Sequence, residues 1–133
     1  MDCIFCRILK GEIPALKLAE TEDTLAFMDI NPVSPGHCLV IPKNHHVNVL
    51  DCPPTLFSKV MAEAQKLAVQ VKENLGCDGI NLVSASGKAA QQSVFHLHFH
   101  IIPRWAGDGI DLWFHGKPSQ TTPSEMQEMI LGK

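Results

Sequence analysis

Ser93–Ile102 reads SVFHLHFHII, and the reading of this stretch decides the fold. Imidazole and apolar side chains alternate along it with the period of a strand. His96, His98 and His100 therefore face one way, and Phe95, Leu97, Phe99 and Ile101 face the other. The apolar face needs a core to lie on. The opposite face is a column of three imidazoles, where a solvated strand would carry Thr, Lys or Glu. Such a column points to chemistry.

Working outward, His37–Ile41 (HCLVI) predicts another strand, closed by Pro42, and Gly79–Ser84 (GINLVS) a further one. Leu16–Glu20 and Thr24–Ile30 are short apolar runs separated by Thr21-Glu22-Asp23, which indicates a hairpin. Asn31-Pro32 and Ser34-Pro35-Gly36 form a turn. Leu56, Val60, Ala64, Leu67, Ala68, Val71 and Leu75 recur at steps of three and four, so one long helix covers 56–75 and lays that face on the sheet. Residues 4–10 (IFCRILK), stopped by Gly11, predict a short helix. Thr122, Pro123 and Glu125 have the form of a capping box, which predicts a last helix over 123–131. Strands in runs, with one long helix between them, indicate an α+β fold with a mainly antiparallel five-stranded sheet.

The whole sequence has 133 residues with 45% hydrophobic content, which fits a single domain over 1–133. Eleven Lys+Arg stand against 14 Asp+Glu, a net charge of −3, so there is no basic stripe for long nucleic acid. A small anionic ligand needs few donors and stays open. No signal-peptide pattern opens the sequence and no run nears the roughly 18 apolar residues of a membrane span, which predicts a cytoplasmic protein. Five scattered cysteines make a disulfide framework a poor reading, apart from Cys3 and Cys6 at C-x-x-C spacing.

Three imidazoles at this spacing can bind a metal, or supply a nucleophile flanked by groups that stabilise charge. Alternate strand residues lie about 7 Å apart, which weakens a metal site built from all three. A nucleophilic middle histidine uses them better. HLHFHII (97–102 after His96) has the pattern His-φ-His-φ-His-φ-φ and, together with CIFCRILKGEIP (3–14), LAFMDINPVSPGHCLVIPKNH (25–45) and QSVFHLHFHIIPR (92–104), resembles the histidine triad family of nucleotide hydrolases and transferases. The resemblance implies a five-stranded antiparallel sheet extended by dimerisation. It implies that His98 attacks phosphorus, with His100 and His37 beside it and Ser93 near the leaving group. Asp29 would take the ribose hydroxyls of a purine nucleotide. Phe5, Ile8, Phe27 and Ile30 would line the base slot, with Gln92 as a further substrate contact. Relatives usually carry Asn where this chain has Ala85, and Gly where it has Gln91.

Cys3 and Cys6 form half of a tetrahedral zinc site. The resemblance completes it with His45 and His96, His46 being the neighbouring alternative. Such a closed site is structural, and no catalytic metal is implied. The expected activity is hydrolysis of purine nucleoside 5′-phosphoramidates or related nucleotides through a nucleotidyl-histidine. Dinucleoside polyphosphate hydrolysis, nucleotidyl transfer and a nucleotide-binding regulatory module with weak catalysis are the alternatives. Residues 104–120, with both tryptophans, are expected to be a mobile loop that contacts a partner subunit or covers its site.

Overall fold

The computed structural model describes residues 2–113 and 115–133. Its elements are α1 (Ile4–Leu9), β1 (Lys17–Glu20), β2 (Thr24–Met28), β3 (Cys38–Pro42), α2 (Pro54–Leu75), β4 (Gly79–Val83), β5 (Phe99–Arg104) and α3 (Pro123–Ile130). The five strands form one sheet in the order β1-β2-β3-β5-β4, every neighbouring pair antiparallel. The α+β class and the five-stranded antiparallel sheet expected from the sequence are what the structure has.

Alternation in the central strands divides two cores. Ala26, Cys38, Val40, Leu97, Phe99 and Ile101 turn toward Val60, Ala64, Leu67 and Val71 of α2. Leu25, Phe27, Leu39 and Ile41 turn the other way, onto Phe5 and Ile8 of α1. With both faces covered, β2 and β3 are almost wholly apolar. Burying each large aliphatic or aromatic side chain stabilises this arrangement by roughly 1.5–3 kcal/mol. The helix α2 begins two residues before the expected Leu56, because Pro54 is tolerated in a first turn whose N–H groups are unpaired anyway. It ends at Gly76 in a left-handed conformation, whose N–H bonds the Lys72 carbonyl. Gly36 makes the turn into β3 with φ +89°, and a Cβ there would sit 2.4 Å from Leu75 Cδ1. Half of the capping box is formed: the Thr122 hydroxyl accepts from the Glu125 N–H.

Two expectations need correction. The strand expected over 93–102 pairs only from Phe99, and runs on to Arg104. The Leu97 N–H bonds the His46 carbonyl at 2.7 Å, so the histidine segment takes a backbone partner outside the sheet before β3 meets β5 at Val40 and Phe99. Pro103 is tolerated inside β5 because its β3 pairs reach no further than Ile101, leaving β4 as its partner there. Nor does the loop after β5 start free. The Arg104 guanidinium bonds Asp108 at 2.8 and 2.9 Å and Asn81 at 2.9 Å, and also donates to the Ile110 carbonyl.

Candidate functional site

His98, from the segment leading into β5, and His100, from β5 itself, enter one cavity of about 380 Å³. Phe5, Ile8, Phe27 and Leu39 form its apolar end, and Asp29, His37 and Ser93 add polar groups. This is the usual composition of a small-molecule site, an apolar slot with a few placed polar groups. Phe5, Ile8 and Phe27 are also core residues, whereas Ile30 stands at the rim, 82% exposed. Leu39, Ile13 and Val33 line the cavity too, and no sequence signal distinguished them from plain core or turn residues.

Hydrogen bonds set which ring nitrogens carry protons. The His96 carbonyl lies 2.7 Å from His98 Nδ1, so Nδ1 must donate and Nε2 keeps its lone pair. Ser84 donates to the His98 carbonyl at 2.8 Å, fixing the backbone of the same residue. Ring edges of Phe5 and His100 hold the His98 imidazole, with centroids at 5.2 and 4.9 Å. Next to it, the Val33 N–H donates to His37 Nδ1 at 3.1 Å. His37 Nε2 must therefore carry the proton, and it lies 2.9 Å from His100 Nδ1 and 3.4 Å from Asp29 Oδ2. His100 accepts at Nδ1, which leaves its Nε2 as a donor.

Burial keeps these rings neutral. It pushes His98 below the ordinary imidazole value, opposed by the bond to the His96 carbonyl and by the Asp29 charge. Burial also pushes His100 down to about 4, helped by the neighbouring His98 and His37. His37 is lowered by burial and raised by Asp29.

Gln92 does not reach the cavity, which corrects its expected role as a substrate contact. Its amide nitrogen donates to the Val47 and Val94 carbonyls at 2.6 and 3.0 Å. Its amide oxygen accepts from Gly87 N–H and Asn48 Nδ2 at 2.8 and 3.2 Å. All four hydrogen-bonding positions are spent on closing the loop before Ser93. Gln91 takes φ +70°, the left-handed conformation that glycine adopts most readily. Ala85 is half-buried directly after Ser84.

A second cluster joins α1 to the histidine segment. The donor atoms of Cys3, Cys6, His45 and His96 all lie within 4.8 Å of one another. Cys6 Sγ is 3.3 Å from His45 Nδ1 and 3.6 Å from His96 Nδ1, Cys3 Sγ is 3.4 Å from His96 Nδ1, and the two Nδ1 atoms are 3.2 Å apart. Tetrahedral zinc at ordinary bond lengths would set such atoms about 3.3–3.8 Å apart. His96 Nε2 donates to the Pro42 carbonyl at 2.8 Å, so its Nδ1 lone pair faces the thiols, the arrangement a metal-bound histidine takes. His45 Nε2 is buried without a hydrogen-bond partner. The Cys6 N–H points at Cys3 Sγ, which suits a thiolate. These residues fit a metal ion. Of the two neighbouring histidines the structure brings in His45, while His46 faces Asp51 at 3.8 Å.

Residues 10–107 match the model of the HIT domain family. The chain belongs to that family. The HIT chain is 45% identical over 104 residues to the adenosine 5′-monophosphoramidase of Schizosaccharomyces pombe, covering 78% of this chain and 75% of the relative. A HIT family protein of Bacillus subtilis has the same fold at TM-score 0.88 and 37% identity, over 99% of this chain and 94% of that one. A zinc-bound histidine triad protein of Mycobacterium smegmatis is similar at TM-score 0.79 and 42% identity, over 90% and 86%. Family membership and the likeness to adenosine 5′-monophosphoramidases support a reading as a nucleotide hydrolase. Among the described residues, no helix is long and apolar enough to cross a membrane.

Proposed function

We propose that this HIT protein hydrolyses purine nucleoside 5′-phosphoramidates and related nucleotides through a nucleotidyl intermediate on His98 Nε2. The observation that carries the reading is the 2.7 Å bond from His98 Nδ1 to the His96 carbonyl, which leaves Nε2 as a lone pair in a lined cavity. In the first step the Nε2–phosphorus bond forms, the phosphorus–nitrogen bond breaks, and the leaving nitrogen takes the proton of the Ser93 hydroxyl, which the attacking water restores in the second step. Water then breaks the Nε2–phosphorus bond and releases the nucleoside monophosphate, with His98 neutral again. His100 Nε2–H donates to the phosphoryl oxygens as charge develops. The Asp29 carboxylate accepts from the ribose hydroxyls, and the base takes the apolar end between Phe5, Ile8, Phe27 and Ile30.

Cys3, Cys6, His45 and His96 would hold zinc, a reading supported by the convergence of their donors and by the zinc-bound relative. Zinc bound there is structural, tying α1 to the histidine segment. In the proposal the 133 residues form one cytoplasmic domain that works as a homodimer. The free edge of β4, where Leu82 and Val83 are 40% and 39% exposed, offers a place for the sheet to continue into a second copy. Sedimentation as a 14.6 kDa particle at micromolar concentration would remove the dimer.

The test is steady-state AMP release from adenosine 5′-phosphoramidate by wild type and His98→Ala, both shown to be folded. Turnover in the wild type that vanishes in the variant is expected. Turnover that survives in the variant, or is missing from both, overturns the proposal.

A further inference from the structure

The histidine cavity opens onto a neighbour. Asp2, Arg7, His45 and Phe95 line a second cleft of about 470 Å³, and Ile4, Ser93 and Val94 line both. The two spaces therefore meet over Ser93. In the reaction proposed above, the base and ribose fill the apolar end and the Asp29 side. In-line displacement sends the leaving group away from His98, and Ser93, which that reading sets beside the leaving group, lines this cleft as well.

Its chemistry is amphipathic. Ile4 and Phe95 are 44% and 45% exposed and give apolar surface. The charge comes from Arg7, whose acidic neighbours are loosely placed: Asp2 at 3.9 Å and Glu12 at 3.5 Å. Both distances exceed the ~2.7–2.9 Å of a charge-assisted hydrogen bond, so the guanidinium fork has no tight partner among the described residues. That fork matches a planar carboxylate better than a point charge does. Asp2 is 85% exposed at the terminus and can yield its place to a bound anion.

We infer that the second cleft is the leaving-group compartment and that Arg7 selects leaving amines with an apolar body and a carboxylate. The inference rests on the phosphoramidase reading and adds a substrate preference to it. Two substrates isolate the charge: adenosine 5′-phosphate joined through nitrogen to β-alanine, and the same compound joined to β-alaninamide. The quantity read is the ratio of their kcat/KM values, with unsubstituted adenosine 5′-phosphoramidate measured alongside. Wild type is expected to favour the carboxylate about fivefold, the effect of one exposed ion pair. Arg7→Ala brings the ratio to about one. Asp2→Asn raises it above the wild-type value by removing a competing anion. A wild-type ratio near one, a ratio that Arg7→Ala does not move, or rejection of both N-linked substrates while the unsubstituted one is hydrolysed overturns the inference alone. Failure on all three substrates overturns the phosphoramidase reading and this inference with it.

Discussion

Two clusters of imidazoles sit side by side here and differ in what surrounds them. Cys3, Cys6, His45 and His96 form one, and Asp29, His37 and His100 the other; in each, the donor atoms lie within 4.8 Å of one another. By distance alone both would take a cation. Their outer hydrogen bonds run in opposite directions. His96 donates from Nε2 to the Pro42 carbonyl, which leaves Nδ1 unprotonated toward the thiols. His37 accepts at Nδ1 from the Val33 N–H, so Nε2 needs its proton and hands it toward His100. A metal on His37 Nε2 would require a proton on Nδ1, pointing at the N–H of Val33. One backbone N–H separates a cluster that could hold a metal from a proton chain.

The largest effect that tests this division is a crossed pair of substitutions on residues two apart. His98→Ala removes the proposed nucleophile and is expected to lower turnover by roughly 10⁴-fold or more, with the metal and the melting temperature retained. His96→Ala is expected to lose the metal and much of the stability, because it removes a ligand that also holds the Pro42 carbonyl. Kinetics, metal analysis and thermal melts on both proteins check it. If His96→Ala keeps its metal, the division fails.

Chelation comes next in size. Removing the metal should lower Tm by roughly 10 °C, a few kcal/mol for a domain of this size, and cost folded molecules little turnover. The sign follows from position: the cysteine–histidine cluster ties α1 and the loop of His45 to the segment that carries His98. Protein purified with well under one equivalent of metal, and unchanged in stability on adding zinc, would sink the zinc reading.

Much of this arrangement is legible in the sequence, because the period of two in 96–101 puts imidazoles on one face and Leu97, Phe99 and Ile101 on the other. That facing survives in the structure from His96 onward although pairing begins only at Phe99, whereas Phe95, expected on the apolar face, is 45% exposed in the cleft beside Arg7. Side-chain direction depends on the extended backbone, whereas pairing depends on a neighbour, and the neighbour of Leu97 is the His46 carbonyl. The long helix was readable for a related reason, since its spacing answers to burial. What could not be read were contacts between distant backbone atoms and rings. Nothing in the sequence says that Val33 N–H meets His37 or that Ser84 holds His98. Gln92 shows the converse: its place beside Ser93 suggests substrate, but its amide is consumed by loop carbonyls and N–H groups.

His37→Ala is a smaller and more specific probe. Without its ring, His100 loses the hydrogen bond that fixes its tautomer, and kcat is expected to fall by roughly 10–100-fold, the cost of a misplaced donor. The nucleophile remains. Cobalt(II) binding, counted as metal retained after equilibrium dialysis, should still give one equivalent per chain in both wild type and variant, all of it at the thiolates. A second equivalent in the wild type that disappears in His37→Ala would make the proton chain a metal site after all.

The finest test uses pH. Attack requires neutral His98, and burial holds its imidazole below the ordinary value of about 6.5, so kcat/KM should stay flat through that value and fall only at lower pH. The Asp29 charge raises His98, His37 and His100, but is not among the influences on His96. Asp29→Asn should therefore shift the acid limb of kcat/KM further toward acid, by roughly one unit or less, while the pH at which metal is released stays put. Folding stability follows the same proton count. The unfolded chain takes up protons near 6.5, whereas folded His100 resists until about 4, so its contribution is full above 6.5 and fades as the pH falls to 4. Activity and stability thus weaken on the same side, and Tm must be followed at each pH so that lost turnover is assigned to protonation of His98 and not to unfolding. An acid limb that moves toward neutral in Asp29→Asn would mean that the carboxylate acts on the rings by some route other than its charge. Metal release that moves with it would mean that the two clusters are one electrostatic unit.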